Sequence, residues 1–172
     1  MIMIQPNYLA ATFSVITLAT SVFVAAPASA RAVSVSCEQK ADIPTVTATL
    51  SNNSASQITS ILSFLPKYFE SERAIEACQN TAQKLNAFYS QNSMNYLASD
   101  TVAGKPVVCA VERRGLSCDS YNSDILFSLD RPVSPTELLY NMLGDNFKGS
   151  QSPSSRTVSR IYTDLRPLWW PF

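Results

Sequence analysis

"VVCAVERRGLSC", residues 107–118, carries two of the four cysteines of the chain, placed symmetrically about Arg113-Arg114 with Gly115 just behind. Its apolar first half reads as a strand, and the charged pair reads as the turn of a β-hairpin. If Arg113 and Arg114 form a two-residue turn, Glu112 faces Gly115, Val111 faces Leu116, and Cys109 faces Cys118 in a non-hydrogen-bonded pair. That is the closer kind of cross-strand pair, and it accepts a disulfide. A three-residue turn with Gly115 in the left-handed region shifts the register by one and sends the cysteines to opposite faces. Either way the segment builds antiparallel sheet.

Outward from this hairpin, "AVSVSCEQ" alternates Val33, Val35 and Cys37 with polar residues, as a half-buried strand does, and "PTVTATL" from Pro44 is a second strand. "SNNSASQ" at 51–57 reads as a polar loop. Asn52-Asn53-Ser54 fits a glycosylation acceptor pattern, which carries little weight in a chain that looks bacterial. Ser71 caps a predicted helix to about Tyr89, with Ile75, Cys78, Ala82, Leu85 and Tyr89 along one apolar stripe. Further strands are predicted at about Met94–Ser99, Pro106–Glu112, Leu116–Asp119 and Ile125–Leu129. "SPTELLYNML" places Ser134 at the N-cap, Pro135 at N1 and Glu137 at N3 of a second helix. Leu138, Leu139, Met142 and Leu143 form its buried face, and Gly144 its stop. Strands and two helices in mixed order predict an α+β domain: single, small, mostly antiparallel, stapled by two disulfides.

The termini differ in character. Residues 1–30 carry no charged side chain, are mainly apolar or small over 8–26, and end in "APASA". This predicts an exported chain cleaved after Ala30, with an uncleaved anchor as the alternative, since the opening "MIMIQPN" lacks the usual Lys or Arg. The four-cysteine domain is expected over 31–149, its folded body being about 33–143. Residues 150–172 are expected as a flexible Ser/Pro/Arg-rich tail, dispensable for folding and ending in "PLWWPF". Arg166, Leu168, Trp169, Trp170 and Phe172 are its candidate contacts to a membrane or partner, because indole rings suit the headgroup zone and arginine an anionic leaflet. The alternative is that the tryptophans fill a groove on the domain.

Composition limits the chemistry. With 13 basic and 13 acidic residues the chain has no nucleic-acid footprint. It has no histidine, which removes Ser-His and Cys-His dyads and the commonest metal ligand. Its four glycines form no phosphate-binding loop. Cys37, Cys78, Cys109 and Cys118 include no C-x-x-C, so disulfides are favoured over a metal or a redox pair, and no cofactor is expected. The favoured pairing is Cys109–Cys118 with Cys37–Cys78, subject to the hairpin register.

The segments "CEQKADIPTVTATL", "ERAIEACQNTAQKLNAFY", "NYLASDTVAGKPVVCAVERRGLSC" and "DILFSLDRPVSPTELLYNML" resemble, in this order, the circadian-oscillating protein family of cyanobacteria. The likeness covers about 34–143 and rests on the four-cysteine framework, "GKPVVC" and the Leu-rich helix. It departs at Ala77, where the family often has Arg, and before the helix, where Phe64 and Phe69 stand in place of Trp. The resemblance implies an exported protein peripheral to membranes, and it transfers no catalytic residue.

The leading expectation is therefore a non-catalytic envelope protein that binds an envelope partner or an anionic membrane surface. Two alternatives remain. One is a carboxylate-dependent hydrolase using Asp100, Asp119 and Asp124 around the hairpin. The other is a thiol-redox protein with Cys109 activated by Arg113 and Arg114.

Overall fold

A computed structural model of the chain describes residues 32–52, 55–91, 93–148 and 160–166. Among these residues seven strands form two antiparallel sheets, with two α-helices, which makes an α+β domain. The first sheet has β1 (Ala32–Lys40), β2 (Ile43–Asn52) and β3 (Ala55–Ser63) in sequential order. Val33, Val35 and Cys37 lie opposite Leu50, Ala48 and Val46, so the alternation read from the sequence is the core-facing set. β3 corrects the loop expected at 51–57: β2 runs to Asn52, β3 starts at Ala55, and that strand continues through Ile61 and Leu62, both fully buried. An irregularity between Val46 and Thr47 turns these two consecutive residues inward.

α1 (Ser71–Gln91) packs on β1, β2 and β6. Its buried stripe is Ala74, Cys78, Thr81, Ala82 and Leu85. Ile75, expected inside, is 37% exposed, because the buried stripe begins one residue earlier, at Ala74. Cys78 bonds to Cys37 of β1, closing a loop of 41 residues.

The second sheet has the order β6-β5-β4-β7. β4 is Tyr96–Val102, β5 Lys105–Val111, β6 Ser123–Ser128 and β7 Tyr162–Asp164. β5 is apolar almost without break because both its faces are covered. Val108 and Ala110 join the main core, while Val107, Cys109 and Val111 join a second cluster with Tyr96, Ala98 and Cys118. The cover on that second face is the loop 112–122. Two expectations are corrected here. Leu116–Asp119 is not a strand, and the Arg113-Arg114 hairpin does not form. β5 pairs instead with β6, Cys109 lying opposite Ile125, and the loop between them folds back over the sheet. Cys118 still bonds to Cys109, at a Cα separation of 5.6 Å.

α2 (Pro135–Met142) has Ser134 at its N-cap, whose hydroxyl accepts from the Glu137 N–H at 3.4 Å, as the capping pattern predicts. Gly144 is no left-handed stop, since its φ is −64°. It is glycine because a Cβ there would stand 2.0 Å from the Ser60 carbonyl oxygen. Its N–H donates to the Ile61 carbonyl at 2.9 Å, holding the end of α2 to β3.

The tail expectation is also corrected in part. β7 extends the second sheet beyond β4, Leu165 is 1% exposed in the main core, and its N–H donates to Asn95 at 2.9 Å. Residues 160–166 are thus a piece of the domain. Only Ile161, Tyr162 and Leu165 of these seven residues are apolar or aromatic, but β4 offers them an edge to pair with and the core a place for Leu165. The expectations for the leader 1–30, for Asn53 and Ser54 of the acceptor pattern that begins at Asn52, and for Leu168, Trp169, Trp170 and Phe172 lie outside the described residues.

Candidate functional site

Two surface regions concentrate chemistry, one at each end of the second sheet. The first lies where β7 ends, beside the loop 112–122. Asp100 of β4, opposite Val107, is 8% exposed and ties the loop and the start of β7 to the sheet. Its Oδ2 accepts from the Cys118 N–H at 3.1 Å, its Oδ1 accepts from the Thr101 N–H at 2.8 Å, and Arg160 binds both oxygens. The Tyr162 hydroxyl donates to the Leu116 carbonyl at 2.9 Å. Loop, disulfide and β7 therefore form one unit with β4.

Over this unit Arg114 and Arg166 stack on the Tyr96 ring, 5.3 and 5.0 Å from its centroid. Arg166 also pairs with Asp164, whose carboxyl is held below the usual carboxylate range chiefly by that hydrogen bond. Arg113 is exposed, and Tyr121 is wholly exposed. This end therefore presents cations around an aromatic ring, and the chain leaves it toward Pro167.

The three carboxylates considered for catalysis are each engaged by other groups. Asp100 is engaged by Arg160 and two backbone N–H groups. Asp119 is exposed and accepts from the Ser117 hydroxyl, which lowers its pKa rather than raising it. Asp124 pairs with Lys84 at 2.7 Å. General acid chemistry needs a carboxyl that keeps its proton near neutral pH, and two carboxyls acting together must share a site. Asp119 fails the first condition, and each of the three carboxylates is taken up by other partners. All four cysteines are in disulfides, and Cys109 and Cys118 are buried, so no thiolate is available to a redox step. Among the described residues no three of His, Cys, Asp or Glu cluster as metal ligands.

The second region is one that sequence reasoning missed. A groove of about 510 Å³ runs between α1 and the segment Leu126–Arg131. Its floor is Phe69 and Phe127, which with Phe64 form a trio of edge-to-face rings at centroid distances of 5.1 to 5.7 Å. One wall is Glu70, just before α1, and the α1 face carrying Arg73 and Glu76. On the other, Asp130 binds Lys105 at 2.7 Å and Arg73 at 3.3 Å, and these cations hold its carboxyl below the usual range. The aromatic residues are visible in the sequence, but their meeting depends on a bulge in β6 that no local pattern announces.

A protein-family model described as "Circadian oscillating protein COP23" matches residues 34–169. Neither the curated proteins nor the solved structures include a match to the chain.

Proposed function

The chain belongs to the circadian oscillating protein COP23 family, and we propose that it is a non-catalytic, exported protein of the cell envelope, attached peripherally to an anionic membrane surface. The observation that carries this reading is the pair of disulfides. Every cysteine is used, and such full pairing fits a non-reducing compartment. No helix among the described residues is long and apolar enough to cross a membrane. Attachment therefore rests on the cationic end of the second sheet. Arg113, Arg114 and Arg166 stand where the chain runs on into Leu168, Trp169, Trp170 and Phe172. Each arginine near an anionic leaflet contributes about 1 kcal/mol, and the indole rings anchor at the headgroup level.

Two measurements test it. Amino-terminal sequencing of protein from the native host is expected to begin at Arg31, in an extracytoplasmic fraction. Purified oxidised chain is expected to cosediment with vesicles containing phosphatidylglycerol and not with pure phosphatidylcholine, and to be released by salt. A start at Met1 with the protein in the cytosol would overturn the export reading. Equal binding to both vesicle types would overturn the electrostatic attachment.

A further inference from the structure

β6 is the outer strand of the second sheet, so among the described residues no strand lies beside one of its edges. Unpaired main-chain groups on such an edge recruit other chains unless they are covered. Half of this edge is covered. Lys84 of α1 donates to the Ile125 carbonyl at 2.5 Å and to Asp124 at 2.7 Å, closing the edge there. Beyond that point the groove opens.

The orientation of the open part follows from one hydrogen bond. The Leu129 N–H donates to the Pro106 carbonyl at 3.0 Å, so the main chain of Leu129 is turned toward β5. Val107 pairs with Ser128 in the same antiparallel register, and alternation turns the N–H and C=O of Ser128 the other way. Ser128 lines the groove, and no described residue bonds to its main chain from that side. An exposed donor and acceptor therefore stand beside an aromatic floor.

The α1 wall supplies the charge. Arg73 is engaged with Asp130, and Asp130 is engaged by Lys105 as well. Glu70 and Glu76 are exposed and have no cation partner among the described residues. The uncompensated charge of the wall is negative.

We propose that this groove binds an extended peptide segment of a partner protein by strand addition to the Ser128 edge. The segment places an aromatic side chain over Phe69 and Phe127 and a lysine or arginine beside Glu70 and Glu76. Main-chain bonds give such a complex its affinity and the side-chain pockets its sequence preference. This goes beyond the membrane attachment proposed above and uses a different surface. The groove lies at the Val107–Ser128 end of the sheet, whereas β7 ends beside Tyr96 and Val111, so a membrane-attached domain keeps it free.

The probe is a displayed library of random dodecapeptides selected on the purified, oxidised full chain, followed by affinity measurement of the enriched peptides. Enrichment of sequences with an aromatic residue within two positions of Lys or Arg is expected. Ser128→Pro, which deletes the edge N–H, should weaken binding at least tenfold, while Ser128→Ala should leave it within about twofold. Glu70→Lys with Glu76→Lys should weaken it at least fivefold. On binding, the Ser128 amide should gain hydrogen-exchange protection, a readout in the unmutated chain. No enrichment, enrichment without that pattern, or an unprotected Ser128 amide in the complex overturns the proposal. So does equal binding by the proline and alanine variants. Because this binding is measured without lipid or cell, it stands or falls separately from export and membrane attachment.

Discussion

Arg160 grips Asp100 across 60 residues of sequence, with Nη2 at 3.0 Å from Oδ1 and 2.9 Å from Oδ2. The same carboxylate accepts the N–H of Cys118, so one mostly buried side chain ties β4 to the disulfide loop and to β7. Asp100→Ala strands the guanidinium and leaves the Cys118 N–H without its partner. The expected loss is about 3 kcal/mol, read from urea unfolding. A double-mutant cycle with Arg160→Ala should show a coupling of about 1–2 kcal/mol. A cycle that closes at zero means the two residues act independently and β7 is held by other contacts.

The two disulfides should contribute unequally. Cys37–Cys78 spans 41 residues and Cys109–Cys118 spans 9, and the loop-entropy model gives about 4 and about 3 kcal/mol. The shorter bridge also clamps the loop over Tyr96 and Val111. Its Cys→Ser pair should therefore raise hydrogen exchange in β5 and β4 beyond what the stability loss predicts. Exchange that rises uniformly through both sheets would show the loop to be a passive cover.

Acid should destabilise the domain, and the neutral range should not. Asp119, Asp130 and Asp164 all titrate below their ordinary range in the fold, through bonds from Ser117, Lys105 and Arg166 respectively. A depressed folded pKa adds stability above the unfolded value, about pH 4, and that stability is lost as pH falls through the folded value. Melting temperature should hold between pH 5 and 8, because the chain has no histidine and no free thiol, and should drop below pH 4. Asp164→Asn should shrink that drop. At the alkaline end, burial pushes the Tyr89 phenol up, so the unfolded chain ionises first and stability falls from about pH 10. A melting temperature that changes steeply near pH 6.5 would contradict this account.

The sequence was most legible where the signal is local. The alternation of Val33, Val35 and Cys37, the Ser134-Pro135-Glu137 cap and the cysteine pairing all read correctly. The pairing came out right although its geometry did not. A hairpin was expected to bring Cys109 to Cys118, whereas the loop folds across the sheet face and reaches the same place. β3 was missed because Gln57, Thr59 and Ser60 resemble the polar loop before them, and its two core residues are adjacent rather than alternating. β7 was missed because its stability comes from Asn95, Asp100 and the open edge of β4, all distant in sequence. The groove was beyond reach for the same reason. It exists between a helix and a strand edge, and its decisive group is a main-chain N–H that every residue but proline has.

Gly144 is a local residue with a distant reason. Its φ is ordinary, so strain is not at issue, but an added Cβ would stand 2.0 Å from the Ser60 oxygen and 2.8 Å from its carbon. Both atoms are backbone and cannot rotate aside. Gly144→Ala should therefore push α2 off β3 and cost about 3 kcal/mol. Gly115→Ala, with φ at +93° and open space around it, should cost only about 1 kcal/mol. Equal costs would mean that the contact between β3 and the end of α2 relaxes freely.

Two truncations separate folding from attachment. Deleting 160–172 removes β7, the Arg160 bond to Asp100 and the Leu165 side chain. Burial of one leucine alone is worth about 1.5–3 kcal/mol, and with the lost ion pair the expected cost is about 4–5 kcal/mol. If the aromatic end is an anchor and not part of the fold, deleting only 167–172 should leave stability within about 0.5 kcal/mol. Arg113, Arg114 and Arg166 remain in that shorter deletion while both tryptophans are gone. Binding to phosphatidylglycerol vesicles should then fall at least tenfold if the aromatic end anchors the domain. Unchanged vesicle binding would assign attachment to the arginines alone. A large loss of stability would instead show that the aromatic end packs against the domain, and its role as an anchor would have to be given up.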